Sequence, residues 1–123
     1  MKISKIEVIF LPVKSQNGAK AFYEDKLGFS TIVDMPMGPG KRWLQMALPG
    51  DGVTISLEEN TEKLRRNHIQ NLVLSVLDIE PLRADLIKRG VNVSALEVQP
   101  FGKFANFSDP DGNEWTMRED VKR

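Results

Sequence analysis

The 123 residues carry 17 basic and 17 acidic side chains and no cysteine. Balanced charge without a long block of either sign removes the electrostatic footprint of a nucleic-acid or anionic-membrane binder, and the absent thiols exclude disulfides, zinc–thiolate sites and cysteine nucleophiles. A chain of this length buries roughly two-thirds of its unfolded surface as one domain, and no apolar run approaches the roughly 18–20 residues that span a bilayer.

At the start, Met1-Lys2-Ile3-Ser4-Lys5-Ile6-Glu7 places a glutamate where a signal peptide would be apolar, so the expectation is a cytoplasmic protein. A β-branched run predicts a strand over Ile6 to Val13. A helix is predicted from Gln16 to Leu27, with Ala19, Phe22, Tyr23 and Leu27 on its buried face and Gly28 as its stop. Strands then fit at Ser30 to Asp34, Arg42 to Leu48 and Val53 to Glu58. Met35-Pro36-Met37-Gly38-Pro39-Gly40 reads as a loop, either a lid over a site or a plain connector. Pro49-Gly50-Asp51-Gly52 is a tight turn, and Lys63-Leu64-Arg65-Arg66 reads as a solvated loop or turn ahead of the alternative, a phosphate site.

The second half repeats the order. Leu72 to Val76 predicts a strand, Asp78 an N-cap, and Pro81 fits the first helical turn, where its missing N–H costs little. Leu82, Leu86 and Ile87 supply the apolar face, and Gly90 ends the helix. Strands follow at Asn92 to Val98, Phe101 to Phe107 and Glu114 to Glu119. Alternation gives several strands one apolar face to pack on a helix. Ile55 and Leu57 alternate with Ser56 and Glu58; Leu72 and Leu74 with Asn71 and Val73; Trp115 and Met117 with Thr116 and Arg118.

Two motifs stand out in this frame. Ala21-Phe22-Tyr23-Glu24-Asp25-Lys26-Leu27-Gly28-Phe29 closes the first helix. Phe107-Ser108-Asp109-Pro110-Asp111-Gly112-Asn113 turns one late strand into Glu114-Trp115 of the next. The Asp-Pro-Asp-Gly-Asn segment is mechanically a turn: proline presets φ, glycine supplies positive φ, and Asp and Asn bond nearby backbone. The pair, in this order, resembles the vicinal oxygen chelate superfamily, which includes glyoxalase I, extradiol dioxygenases and bleomycin-resistance proteins. That resemblance implies an α+β fold of two βαβββ modules, about residues 1–60 and 69–123 of a single domain. Their curled sheets would form a cleft, usually in a homodimer. It also implies a divalent metal chelating vicinal oxygens of a substrate and acting as a Lewis acid.

The positions aligned with that family's metal ligands are Val8, Ser56, Asn71 and Thr116, where the family carries His, Gln or Glu. Valine coordinates nothing, and neutral hydroxyls and amides are poor ligands for a transition metal, so no metal and no cofactor is expected. His68, the only histidine, reads as a loop residue at a strand entry or as a ligand. Glu58 and Glu114 each lie two residues from an aligned slot. They are candidates for a displaced metal pair or an acid/base pair, or rim residues paired with Arg118 or Arg42.

Phe10, Trp43, Met46, Phe101, Phe104 and Trp115 concentrate aromatic and thioether surface near the expected cleft, with Trp115 assigned to the core by alternation. A small-molecule site combines such walls with a few placed polar groups. The ligand-contacting set expected here is Phe10, Trp43, Gln45, Ser56, Asn71, Phe104, Asn106, Thr116 and Arg118. The leading expectation is a metal-free protein that binds a small, partly apolar molecule between its modules. The alternatives are a glyoxalase-like lyase or isomerase, or a dioxygenase, using displaced ligands or acid/base chemistry, and a module that only assembles with a partner.

Overall fold

The computed structural model describes residues 2–50, 52–66 and 71–120. The chain divides into two compact units with the boundary between residues 68 and 69. Each unit is a four-stranded mixed sheet with helices, so the expected α+β fold is the one observed. Among the described residues no helix is long and apolar enough to cross a membrane.

In the first unit the order is β1 (Val8–Val13), α1 (Gln16–Asp25), β2 (Ser30–Pro36), β3 (Arg42–Ala47), β4 (Thr54–Glu59) and α2 (Thr61–Arg65). The sheet runs β1-β4-β3-β2, with β1 parallel to β4 and the other pairs antiparallel. One face buries Leu11, Val13, Leu44, Met46, Ile55 and Leu57, and α1 buries Ala19 and Tyr23. Burial of side chains of this size stabilises by about 1.5–3 kcal/mol each, which fixes the register because a one-residue slip would expose the whole set.

Several boundaries differ from expectation. β1 begins at Val8, not Ile6: its register on β4 starts with Val8 against Thr54, and the Glu7 carbonyl just before it accepts from the Thr54 N–H at 2.9 Å. Helix α1 ends at Asp25, and Phe22 and Leu27 are only half-buried. Gln16 is buried instead, its amide donating to the carbonyls of Leu57 at 2.8 Å and Arg42 at 3.0 Å. Gly28 has φ 71°, the left-handed geometry expected of a helix stop. Residues 61–65 form a short helix where a loop or turn was expected. Asn60 caps it by accepting from the Lys63 N–H at 3.0 Å, and Arg66 pairs with Glu62 one turn back. Met35 and Pro36 extend β2, so the loop over residues 35–40 is shorter than read.

The second unit runs β5 (Asn71–Ser75), α3 (Ile79–Lys88), β6 (Glu97–Gln99), β7 (Gly102–Ser108) and β8 (Glu114–Glu119). Its sheet order, β5-β8-β7-β6, repeats the first: a parallel pair, then antiparallel neighbours. The buried face holds Ala105, Phe107, Trp115 and Met117, and Ile79 and Leu86 are the buried residues of α3. Leu82 is half-buried, and Ile87, expected on the apolar face, is exposed. The strand expected over Asn92 to Val98 reduces to β6 and a bridge from Val93 to Phe107. Asp78 holds the N-cap position without a side-chain capping bond; Glu119 supplies it, accepting from the Ile79 N–H at 2.9 Å.

Candidate functional site

Sheet pleating decides which side chains leave the core. In the first unit the face opposite α1 aligns Phe10, Ser56, Gln45 and Val33 across four strands, because Phe10 pairs with Ser56, Ser56 with Gln45, and Gln45 with Val33. Phe10 and Trp43 meet edge to face with ring centroids 5.5 Å apart. Trp43 Nε1 donates to Gln45 Oε1 at 3.2 Å, Gln45 Nε2 donates to Thr54 Oγ1 at 2.9 Å, and Thr54 Oγ1 donates to the Glu7 carbonyl at 2.7 Å. This chain of bonds holds the indole and the amide in place. Ser56 is buried under its neighbours. Met46, grouped above with the cleft aromatics, points instead to the buried face with Leu44, as its even position on β3 requires.

In the second unit the corresponding face carries three rows: Asn71, Glu114 and Ser108; Val73, Thr116 and Asn106; Ser75, Arg118, Phe104 and Glu97. Thr116 Oγ1 lies 3.0 Å from Asn71 Oδ1 and 2.8 Å from Asn106 Oδ1. A threonine hydroxyl has one hydrogen, so the trio is complete only when one amide turns its NH2 inward. The trio lines a pocket of about 430 Å3, together with Asn92, Ser94, Ser108 and Glu114. Ser94 belongs to its wall by a reciprocal contact: Ser94 N donates to the Asn106 carbonyl, and Asn106 N donates to Ser94 Oγ, each at 2.8 Å.

The next row holds Phe104 and Arg118. The guanidinium carbon sits 5.9 Å from the Phe104 ring centroid, and Nη2 donates to the Phe101 carbonyl at 2.8 Å and to Asp120 at 3.1 Å. Phe101 and Phe104 meet edge to face at 5.5 Å. Gly102 makes room here. Its φ is 150°, and a Cβ at this position would stand 2.8 Å from the Glu119 carbonyl oxygen.

The expected ligand-contacting residues therefore fall into two local groups. Phe10, Trp43, Gln45 and Ser56 share one face of the first sheet; Asn71, Phe104, Asn106, Thr116 and Arg118 share one face of the second. Trp115 is buried, as alternation required. The expected partners of the two glutamates are engaged elsewhere: Arg42 forks onto Asp34 at 2.7 and 2.9 Å, and Arg118 takes Phe101 and Asp120. Glu58 accepts from Asn60 Nδ2 at 2.9 Å, and Glu114 stands exposed at the pocket wall. Asn92, Ser94 and Ser108 were missed as pocket residues. Their alternation with the buried Val91, Val93 and Phe107 was the signal that marks them as facing away from the core.

The donor set does not suit a metal. Among the described residues no group of three or more His, Cys, Asp or Glu side chains gathers, and His68 lies outside those residues. Val8, Ser56, Asn71 and Thr116 offer a hydrocarbon, two hydroxyls and an amide, and the Asn71 and Thr116 side chains already bond each other.

Comparison with known proteins agrees with the fold. The family model described as the Glyoxalase/Bleomycin resistance protein/Dioxygenase superfamily matches residues 5–117. The uncharacterized protein YetH of Bacillus subtilis (strain 168) is 28% identical over 123 residues, covering 95% of this chain and 99% of YetH. The crystal structure of TnmS3, an antibiotic binding protein from Streptomyces sp. CB03234, superposes with a TM-score of 0.88 at 34% identity, covering 98% of this chain and 99% of TnmS3. A glyoxalase/bleomycin resistance protein from the same organism superposes with a TM-score of 0.79 at 33% identity, covering 93% of this chain and 99% of its own. With the repeated module, the helix and turn motifs and the family match over nearly its whole length, the chain belongs to the Glyoxalase/Bleomycin resistance protein/Dioxygenase superfamily.

Proposed function

We infer that this protein binds a small, partly apolar molecule on the solvent-facing sides of its sheets, without a metal, and acts by holding that molecule rather than transforming it. The observation that carries this reading is the Asn71–Thr116–Asn106 trio on the pocket of about 430 Å3. Asn71 and Thr116, standing where relatives are expected to hold a metal, form instead a neutral hydrogen-bonding wall with Asn106. The edge-to-face pair of Phe10 and Trp43 supplies apolar surface beside Gln45 and Ser56, and Phe104 does so in the second unit. Apolar walls with a few placed polar groups are what a small-molecule site requires. The likeness to an antibiotic binding protein supports an antibiotic-like ligand. A homodimer in the cytoplasm is the state we assign to it.

A fluorescence titration with a panel of aromatic antibiotics tests the reading. Trp43 lies beside Phe10 on the binding face, so its emission should change saturably on binding. Substituting Trp43→Leu should remove most of that signal and weaken affinity about tenfold, while Thr116→Val should weaken hydrogen-bonding ligands more than purely apolar ones. An unchanged affinity in both variants would remove these faces from the binding site.

A further inference from the structure

The geometry points to a carboxylate, or a similarly shaped planar anion, as one end of the ligand, received by Arg118. This inference rests on the small-molecule reading above and adds the chemical class. Arg118 is the residue of the second sheet's open face that brings positive charge to its three rows, and its side chain keeps 37% of its surface exposed. It is not a loose surface arginine. The Phe104 ring lies against the guanidinium, the Phe101 carbonyl fixes Nη2 at 2.8 Å, and Gly102 clears the space that a Cβ would fill 3.5 Å from Arg118 Nε. A guanidinium positioned before binding loses little side-chain freedom when it meets a carboxylate, and its planar donors match that group's geometry.

Asp120 already shows the chemistry. Its Oδ1 sits 3.1 Å from Nη2, and its side chain is 61% exposed. It is a carboxylate tethered two residues away, and its contact with the arginine is solvated, so a ligand carboxylate can take its place there. One row along β8, roughly 7 Å away at ~3.3 Å per residue, stands the Thr116–Asn106 pair. The ligand class that fits both is an aromatic acid with a hydroxyl or carbonyl group about that distance from its carboxylate, its ring lying along Phe104.

The experiment compares 6-hydroxy-2-naphthoate with the neutral 6-hydroxy-2-naphthamide by calorimetric titration against wild type, Arg118→Met and Asp120→Asn. The acid should bind wild type about tenfold tighter than the amide, with the preference falling as salt rises. Arg118→Met should abolish the preference. Asp120→Asn removes the tethered competitor and should tighten the acid about threefold while leaving the amide unchanged. Equal binding of acid and amide to wild type overturns the inference and leaves the small-molecule reading standing. A preference that survives Arg118→Met, or an Asp120→Asn variant with no gain for the acid, also overturns it. Binding of neither probe at any attainable concentration overturns both the inference and the reading it rests on.

Discussion

Glu119, the last residue of β8, accepts a hydrogen bond from the Ile79 backbone N–H at 2.9 Å, where helix α3 begins. The first unit repeats the device: Glu59, the last residue of β4, accepts from the Gln16 N–H at 3.1 Å, where α1 begins. In each module the fourth strand thus ends on a carboxylate that caps the helix, satisfying a donor the helix cannot satisfy itself and complementing its dipole. The two copies differ in burial: Glu119 is buried and Glu59 is exposed.

That difference sets a prediction. Glu119→Ala should destabilise the protein by about 1–3 kcal/mol, because it strands a buried N–H, and Glu59→Ala by about 1 kcal/mol or less, because water replaces the lost acceptor. Denaturant midpoints of the two variants check the order. Equal losses would mean the capping contacts do not carry the effect.

The acid side of the stability profile should depend on Asp34. Arg42 donates to both of its oxygens and Lys20 adds a third bond, and these cations hold the Asp34 carboxyl well below the ordinary carboxylate range. A carboxylate whose folded pKa is depressed contributes stability that is fully present above its unfolded pKa, near ~4, and is lost as pH falls from there toward the folded value. Wild type should therefore exceed Asp34→Asn in melting temperature at neutral pH, and the gap should narrow steadily below about pH 4. A gap that stays constant from neutral to acid pH would contradict the assignment.

The two tryptophans should separate core from site. Trp115 is buried and stacks on Phe107 with centroids 6.3 Å apart, so Trp115→Ala should cost about 3–5 kcal/mol. Trp43 stands half-buried on the opposite kind of face, and Trp43→Ala should cost roughly 1–2 kcal/mol while weakening ligand binding. Thermal melts and titrations of both variants give the comparison; a larger stability loss at Trp43 would reverse the assignment.

Gly102 is a backbone test. Gly102→Ala places a Cβ 2.8 Å from the Glu119 carbonyl oxygen at a φ of 150°, so it should destabilise by about 1–3 kcal/mol. It should also disturb Arg118 and Phe104, which stand next to the same space. A fully stable Gly102→Ala variant would show that the strand relaxes there.

Much of this architecture was legible in the residues. Alternation at Ile55, Leu57, Trp115 and Met117 revealed which faces are buried, because strand periodicity is strict, and Gly28 and Gly90 marked both helix ends. What escaped notice depended on contacts distant in sequence. Gln16 and Ile79 are buried because strands from the far end of each module cap and cover them, which no local pattern near either residue displays. Residues 61–65 became helical through one asparagine cap and one ion pair, signals shorter than a helical period. At the site, the nature of each side chain was readable but its partner was not: Arg42 and Arg118 bond Asp34 and Asp120, and Thr116 binds two amides.

The most direct test of metal-independent binding is a calorimetric titration of chelator-treated protein with the antibiotic panel, repeated after loading with Ni, Zn, Mn or Fe and desalting. Saturable binding of about one ligand per chain, with the same affinity before and after metal exposure and weakened about tenfold by Trp43→Leu, is the expected result. Binding that appears only in the metal-loaded protein, with metal retained at close to one per chain, would contradict it.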